Sequence, residues 1–156
     1  MGMTTPNAGF LDQLMQYEDG MARLYALFAD YYEDSAPFWL ALSDEEREHF
    51  AMMETMRMHA ADGKLSFSLT RLSAPAVYEA LLYFKACYAL AARGRMPLRQ
   101  AYTMALDLED SLIERRIFEV AEGDSPELAQ TLQMLADTYR RHAQRLRDAR
   151  EELLGA

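Results

Sequence analysis

Apolar side chains recur at alternating steps of three and four residues along most of the chain, and this helical period is the feature that most constrains the fold. Few residues interrupt it, because the 156 residues include only 7 glycines and 5 prolines. No segment shows the strict alternation of apolar and polar residues that is typical of a β-strand. The pattern therefore predicts an all-α protein.

Proline and glycine mark the ends of the predicted helices, because proline suits a first turn and glycine suits the position just past a helix end. The first long helix is predicted at about residues 8–33, and the second begins after Ser35 and ends at Gly63. A shorter helix at about residues 74–93 follows an irregular segment, residues 64–73. The third long helix is predicted from Pro97 to Gly123, and the fourth begins at Pro126.

The lengths of the connections predict how these helices are arranged. Short links join the first helix to the second and the third to the fourth, so each pair should form an antiparallel hairpin. The segment between the hairpins is long enough to run from one end of a bundle to the other. We therefore expect one domain, residues 8–153, that forms a four-helix bundle with one long crossover containing an extra helix.

Five ionisable residues occupy positions on the apolar stripes where such a bundle normally places leucine. An unpaired buried carboxylate costs several kcal/mol, so protons, partners or cations must accompany these groups. A single residue of this kind can be a hydrogen-bonded core residue. Together they are three carboxylates and two imidazoles, namely Glu18, Glu46, His49, Glu109 and His142.

The five residues are predicted to meet, because residues equidistant from the turn of an antiparallel hairpin lie at the same height. Glu18 is level with Glu46 and His49 about a turn at residues 33–35, and Glu109 is level with His142 about a turn at residues 123–125. Glu46 and His49 also share one helix face. Carboxylate and imidazole ligands suit iron, manganese or zinc, so the pattern predicts a metal site.

Three motifs resemble those of a known family. The segments are EDGMARLYALFA at residues 18–29, EEREH at residues 45–49 and ALDLEDSLIERRIF at residues 105–118. In this order they resemble the rubrerythrin-type domain of the ferritin-like di-iron carboxylate superfamily, over about residues 8–149. The resemblance implies a ferritin-like fold in which Glu18 and Glu109 are terminal ligands, Glu46 bridges two metals, and His49 and His142 each complete one.

The resemblance also implies a chemistry. Two iron ions are expected, with zinc or manganese as possible substitutes, and O₂ or peroxide would be the substrate in oxidative-stress defence or iron handling. Full rubrerythrins carry paired CxxC motifs in a rubredoxin-like domain, whereas this chain has the single cysteine Cys87. Any redox turnover would therefore need an external electron donor.

Tyr139 departs from the family pattern, because it stands where the fourth helix should provide a second bridging carboxylate. Its phenol could bind Fe(III) as phenolate, or stay neutral and donate a hydrogen bond, or mark a second metal that is weak or absent. The second of these hypotheses gives Tyr139 a catalytic role. Tyr25 and Tyr102 lie seven residues from Glu18 and Glu109 and could donate hydrogen bonds or relay electrons, although aromatic packing in the core also explains them.

Two other functions fit the same residues. The chain could bind or sequester iron with little turnover, because the fourth carboxylate is missing, or it could be a metal-free interaction bundle that keeps relics of a site.

The net charge of -9 argues against nucleic acid and anionic membranes as partners. The lone cysteine and the lack of a signal-like N-terminus or membrane-length apolar run favour the cytoplasm. Aromatic residues expected at the surface suggest a homodimer, namely Phe38, Trp39, Tyr78 and Tyr83.

Overall fold

The computed structural model describes residues 6–61, 74–114 and 126–155. Helices α1 (Pro6–Tyr31) and α2 (Ala36–Ala61) are joined by a single 3₁₀ turn, Glu33–Ser35, and are followed by α3 (Ala74–Ala92), α4 (Leu98–Glu114) and α5 (Pro126–Gly155). No strand occurs within these ranges, which confirms the all-α prediction. The irregular segment 64–73 and the part of the third predicted long helix beyond residue 114 lie outside the described residues.

Helices α1 and α2 run antiparallel, as predicted from the short link between them. Near the turn, the Ser43 hydroxyl donates a hydrogen bond of 2.8 Å to the carbonyl of Ala22. At the far end, Arg57 lies 2.9 Å from Asp12. Later residues of α2 therefore contact earlier residues of α1, as in any antiparallel pair. This order places Glu18 beside the polar residues of α2.

Helices α4 and α5 form the second antiparallel pair. Arg150 on α5 donates to Thr103 on α4 over 3.4 Å, and further along α4 Glu109 lies 3.2 Å from His142. Across the two pairs, the buried Tyr17 hydroxyl donates a 2.6 Å hydrogen bond to the carbonyl of Leu108. This contact fixes α1 against α4 next to Glu109.

Helix α3 packs against α1 and α4, and glycine permits its close approach to α1. A Cβ atom built on Gly20 would lie only 2.3 Å from Cε1 of Phe84. The Phe84 ring also lies 5.6 Å, centroid to centroid, from the ring of Tyr17. The missing side chain at Gly20 therefore lets α3 cover this face of α1.

The core follows the predicted stripes wherever their side chains are described. Apolar stripe residues of α1, α2, α4 and α5 are buried, namely Leu14, Met21, Phe28, Leu42, Met53, Met56, Ala105, Leu112, Leu132, Leu135 and Leu146. The expectation that Trp39 lies at the surface is wrong, because its side chain is fully buried among aromatic rings of α1 and α4. Tyr78 and Tyr83 are exposed, as expected.

The membrane prediction concerns helix length and hydropathy. Within the described ranges, none of the helices combines the length and the apolar character that crossing a bilayer requires.

Candidate metal centre

The structure brings together all five ionisable residues predicted from the apolar stripes. They come from four helices: Glu18 from α1, Glu46 and His49 from α2, Glu109 from α4 and His142 from α5. The three carboxylates have no exposed area, and His142 and His49 keep only 1% and 6%. The five residues therefore form one water-excluded cluster.

One half of the cluster contains Glu18, Glu46 and His49. The Nδ1 atom of His49 lies 3.6 Å from Oε2 of Glu18 and 3.5 Å from Oε2 of Glu46. Glu46 and His49 face the same way because they are three residues apart on α2, and the antiparallel pairing brings Glu18 to their height. Donor atoms of these residues all lie within 4.8 Å of one another.

The other half contains Glu46, Glu109 and His142. Here the Nδ1 atom of His142 lies 3.0 Å from Oε1 of Glu46 and 3.2 Å from Oε1 of Glu109. Glu46 belongs to both halves, with Oε1 facing His142 and Oε2 facing His49. A carboxylate with one oxygen in each of two donor groups is arranged like a ligand that bridges two cations.

The donor spacings suit metal ions. Oxygen and nitrogen ligands bind zinc at about 2.0–2.2 Å, which sets neighbouring donors roughly 3.0 to 3.5 Å apart around one ion. Within the cluster, the separations between imidazole nitrogens and carboxylate oxygens run from 3.0 to 3.6 Å. Both donor groups could therefore hold a metal ion, and the donor types admit iron, manganese or zinc.

Several buried atoms of the cluster lack hydrogen-bond partners among the described residues. They are both carboxylate oxygens of Glu18, Oε2 of Glu46, Oε2 of Glu109 and Nδ1 of His49. Leaving a buried polar group unsatisfied costs about 1–3 kcal/mol, and more when it is charged. Because these atoms belong to residues of the two donor groups, cations held by those groups would offer them partners.

Protons balance the cluster when it holds no metal. Burial, followed by repulsion from Glu46, raises the pKa of Glu18 well above its ordinary value. Burial and the charge of Glu46 raise the pKa of Glu109 to about 7. For His142, burial lowers the pKa, but hydrogen bonds to Glu109 and Glu46 outweigh burial and raise it to about 10. The pKa of Glu46 is lowered, because contacts with Glu18, His142 and His49 outweigh its burial.

An outer contact orients one imidazole. The Nε2 atom of His142 lies 2.8 Å from Oε2 of Glu45, and Arg145 donates a 2.7 Å hydrogen bond to the same oxygen. With Nε2–H donating to Glu45, the Nδ1 lone pair of a neutral His142 faces Glu46 and Glu109. Histidines that bind metals commonly donate their other ring N–H to a carboxylate in this way.

The local sequence did not predict that Glu45 contacts His142 and Arg145, and it gave no role to Tyr17. The partners of Glu45 lie on α5, about a hundred residues away in the chain, so no local spacing connects them. For Tyr17, the only local signal is its position beside Glu18.

The three tyrosines assigned catalytic roles lie at different distances from the cluster. Tyr25 is fully buried, and its hydroxyl donates a hydrogen bond to Oε1 of Glu109. The ring of Tyr139 lies 6.1 Å from that of His49, centroid to centroid. Tyr102 instead stacks on Trp39 at 5.1 Å, two rings further from the cluster than Tyr25. Their catalytic roles stay predictions.

Burial and the negative charge of Glu109 raise the pKa of Tyr25 well above its ordinary value. The phenol therefore keeps its proton at neutral pH and acts as a hydrogen-bond donor to Glu109.

Comparison with known proteins identifies no relative of the chain. No protein-family model matches it, no characterised protein sequence matches it, and no solved structure matches it.

Proposed function

We propose that the chain is a ferritin-like, rubrerythrin-type di-iron protein that reduces peroxide or O₂ with electrons from an external donor. The observation that carries the proposal is the convergence of five buried donor residues in two groups that share Glu46, with several of their buried atoms lacking hydrogen-bond partners among the described residues. The order of the three motifs along the chain supports the family assignment. Three carboxylates offset most of the charge of two divalent ions, so a pair of ions is electrostatically tolerable.

In this proposal, each side chain of the cluster has a role as a ligand or as a proton donor. Glu18 and His49 would hold one ion, Glu109 and His142 the other, and Glu46 both. A bound pair of ferrous ions supplies two electrons to an O–O bond. Tyr25 holds a proton beside Glu109, where it can be donated to a reduced oxygen atom, and the buried walls exclude bulk water.

The decisive experiment is anaerobic loading with Fe(II) followed by peroxide. We expect two irons per chain, iron(III) absorption in the near ultraviolet, and one peroxide consumed for each two Fe(II) ions. Glu46→Gln removes the shared ligand and should abolish this stoichiometry, whereas Glu48→Gln changes an exposed residue of the same helix and should not. Iron that binds in pairs but is not oxidised by peroxide would contradict the proposed activity.

Iron binding with little turnover is the second candidate function, and Tyr139 favours it. This residue stands where α5 would offer another carboxylate, so the second donor group consists of Glu46, Glu109 and His142. If the second iron ion binds weakly, a site that holds a single Fe(II) ion can supply only one electron to the substrate. Metal analysis separates the candidates, because fewer than two irons in the natural protein and two in Tyr139→Glu would favour storage or handling of iron.

A further inference from the structure

A column of three aromatic rings leads away from the metal centre. The ring of Tyr25 stacks on Trp39 with centroids 5.8 Å apart and an interplanar angle of 29°. Trp39 in turn stacks on Tyr102, at 5.1 Å and 20°. The three residues come from α1, α2 and α4, so the column depends on tertiary packing and does not follow the stripe of a single helix.

The two ends of the column differ in their surroundings. The inner end is the Tyr25 hydroxyl, which donates to the candidate ligand Glu109. Tyr25 and Trp39 have no exposed area, whereas Tyr102 keeps 5% at the outer end. The column therefore joins the closed centre to a residue at the edge of solvent.

A second branch from Trp39 reaches Tyr32, with centroids 6.5 Å apart. The guanidinium carbon of Arg95 lies 5.3 Å from the centre of the Tyr32 ring. A positive charge over a ring opposes the loss of an electron from it, because it stabilises the electron-rich face. Tyr102 is therefore a better outer electron donor than Tyr32.

We infer that Tyr25, Trp39 and Tyr102 supply one electron to the centre when it holds a single ferrous ion. This inference rests on the proposed reaction with peroxide. Reduction of peroxide to water takes two electrons, and one Fe(II) ion gives only one. The second would come from a tyrosine of the column, through Trp39 when that tyrosine is Tyr102.

The step balances in atoms and electrons. One Fe(II), one tyrosine, one H₂O₂ and one proton give one Fe(III), one neutral tyrosyl radical and two waters. The O–O bond breaks, and the tyrosine O–H bond loses its hydrogen as an electron and a proton. An external one-electron donor such as ascorbate, together with a proton, then restores the tyrosine at the exposed end.

The first test uses metal-free protein, so it does not depend on iron chemistry. Trp39 is the single tryptophan of the chain, and laser photoionisation at a wavelength that tyrosine does not absorb oxidises it alone. We expect the tryptophan radical to decay as a tyrosyl radical grows, at a rate independent of protein concentration. The double variant Tyr25→Phe/Tyr102→Phe should lengthen the decay severalfold.

The matched control is Tyr88→Phe, which changes a half-buried tyrosine that packs on Phe84 of α3. It should leave the decay of the Trp39 radical unchanged. Equal lifetimes in the natural protein and the double variant, with circular dichroism unaltered, would overturn the inference.

The second test adds one Fe(II) per chain and then peroxide, followed by freeze-quench electron paramagnetic resonance. We expect a tyrosyl radical that ascorbate removes several times more slowly in Trp39→Phe, in which the radical is confined to Tyr25. Peroxide consumption at this loading without any tyrosyl radical would overturn the inference. If iron does not bind or does not react, the proposed function fails. The photoionisation result still decides whether the tyrosines of the column transfer an electron to the Trp39 radical.

Discussion

The Nε2 atom of His142 lies 2.8 Å from Oε2 of Glu45, although the two residues are on different helices and far apart in the chain. This contact turns Nδ1 of His142 toward Glu46 and Glu109, where a cation would lie. Arg145 donates a hydrogen bond to the same oxygen of Glu45. The imidazole is therefore oriented for binding before any metal arrives.

Replacing Glu45 by glutamine should weaken metal binding without removing a ligand. Loss of a carboxylate that orients a metal-binding histidine typically costs about 10- to 100-fold in affinity. Titration of Zn(II) or Fe(II) under anaerobic conditions measures the effect. Glu48→Gln is the control, because Glu48 is exposed on the same helix. Equal dissociation constants for Glu45→Gln and the natural protein would show that this contact does not tune the site.

Glu18→Gln should change the stability of the metal-free and metal-loaded proteins in opposite directions. Burial and repulsion from Glu46 raise the pKa of Glu18, so its carboxyl group must take up a proton on folding at neutral pH, and a neutral amide that avoids this cost should stabilise the metal-free fold by about 1–3 kcal/mol. The same change removes a ligand, so the increase in melting temperature on adding Zn(II) should shrink. A variant that is less stable without metal and equally stabilised by zinc would contradict the assignment.

The metal-free protein should lose stability as the pH rises above about 5. The folded-state pKa of Glu109 is raised from 4.5 to about 7, so the folded form binds more protons than the unfolded form between these values. Its stabilising contribution is complete below the lower value and is lost as the pH rises through the higher one. His142 acts in the same direction between 6.5 and about 10.

Urea unfolding of metal-free protein at several pH values checks this dependence. Glu109→Gln should flatten the decline in the lower part of the range. The stabilisation added by metal should instead grow with pH, because metal binding displaces the protons held by Glu18, Glu109 and His142. A metal-free stability that rises from about pH 5 to 8 would refute the account of the buried carboxylates.

Gly20→Ala should destabilise the packing of α3 against α1. Alanine favours a helix over glycine by about 1 kcal/mol, but overpacking a core typically costs about 1–3 kcal/mol. The new methyl would lie 2.3 Å from Cε1 of Phe84, so we expect a small net loss in the free energy of unfolding.

Two controls isolate the contact between Gly20 and Phe84. Gly155→Ala adds a methyl in open space and should cost little. Phe84→Leu shortens the opposing side chain, so combining it with Gly20→Ala should cost less than the sum of the two single changes. Additive costs would show that the methyl and the ring do not compete for space.

The sequence predicted the helices and much of the candidate site because both depend on local periodicity. The stripe that buries Leu14 and Met21 on α1 also buries Glu18, since all three lie on one face. Counting from the turn then placed Glu46 and His49 at the height of Glu18. No long-range information was needed for these steps.

Contacts that depend on how side chains extend across the core could not be predicted in this way. Tyr25 was expected at some distance from the ligands along the helix axis, yet its hydroxyl reaches Glu109 because the ring extends between the helices. Trp39 was expected at the surface, but rings of α1 and α4 enclose it. Each outcome depends on the packing of two or more helices.

The sequence by itself determined that helices form, which face each one buries, and that five acidic and imidazole groups lie on those faces, because helical period and hydrophobic burial act within a single segment. Only the tertiary structure decided that the Tyr25 hydroxyl reaches Glu109, that Glu45 orients His142, and that three rings connect Glu109 to the edge of solvent. These relationships join helices that are distant in the chain, and interhelical packing fixes their distances.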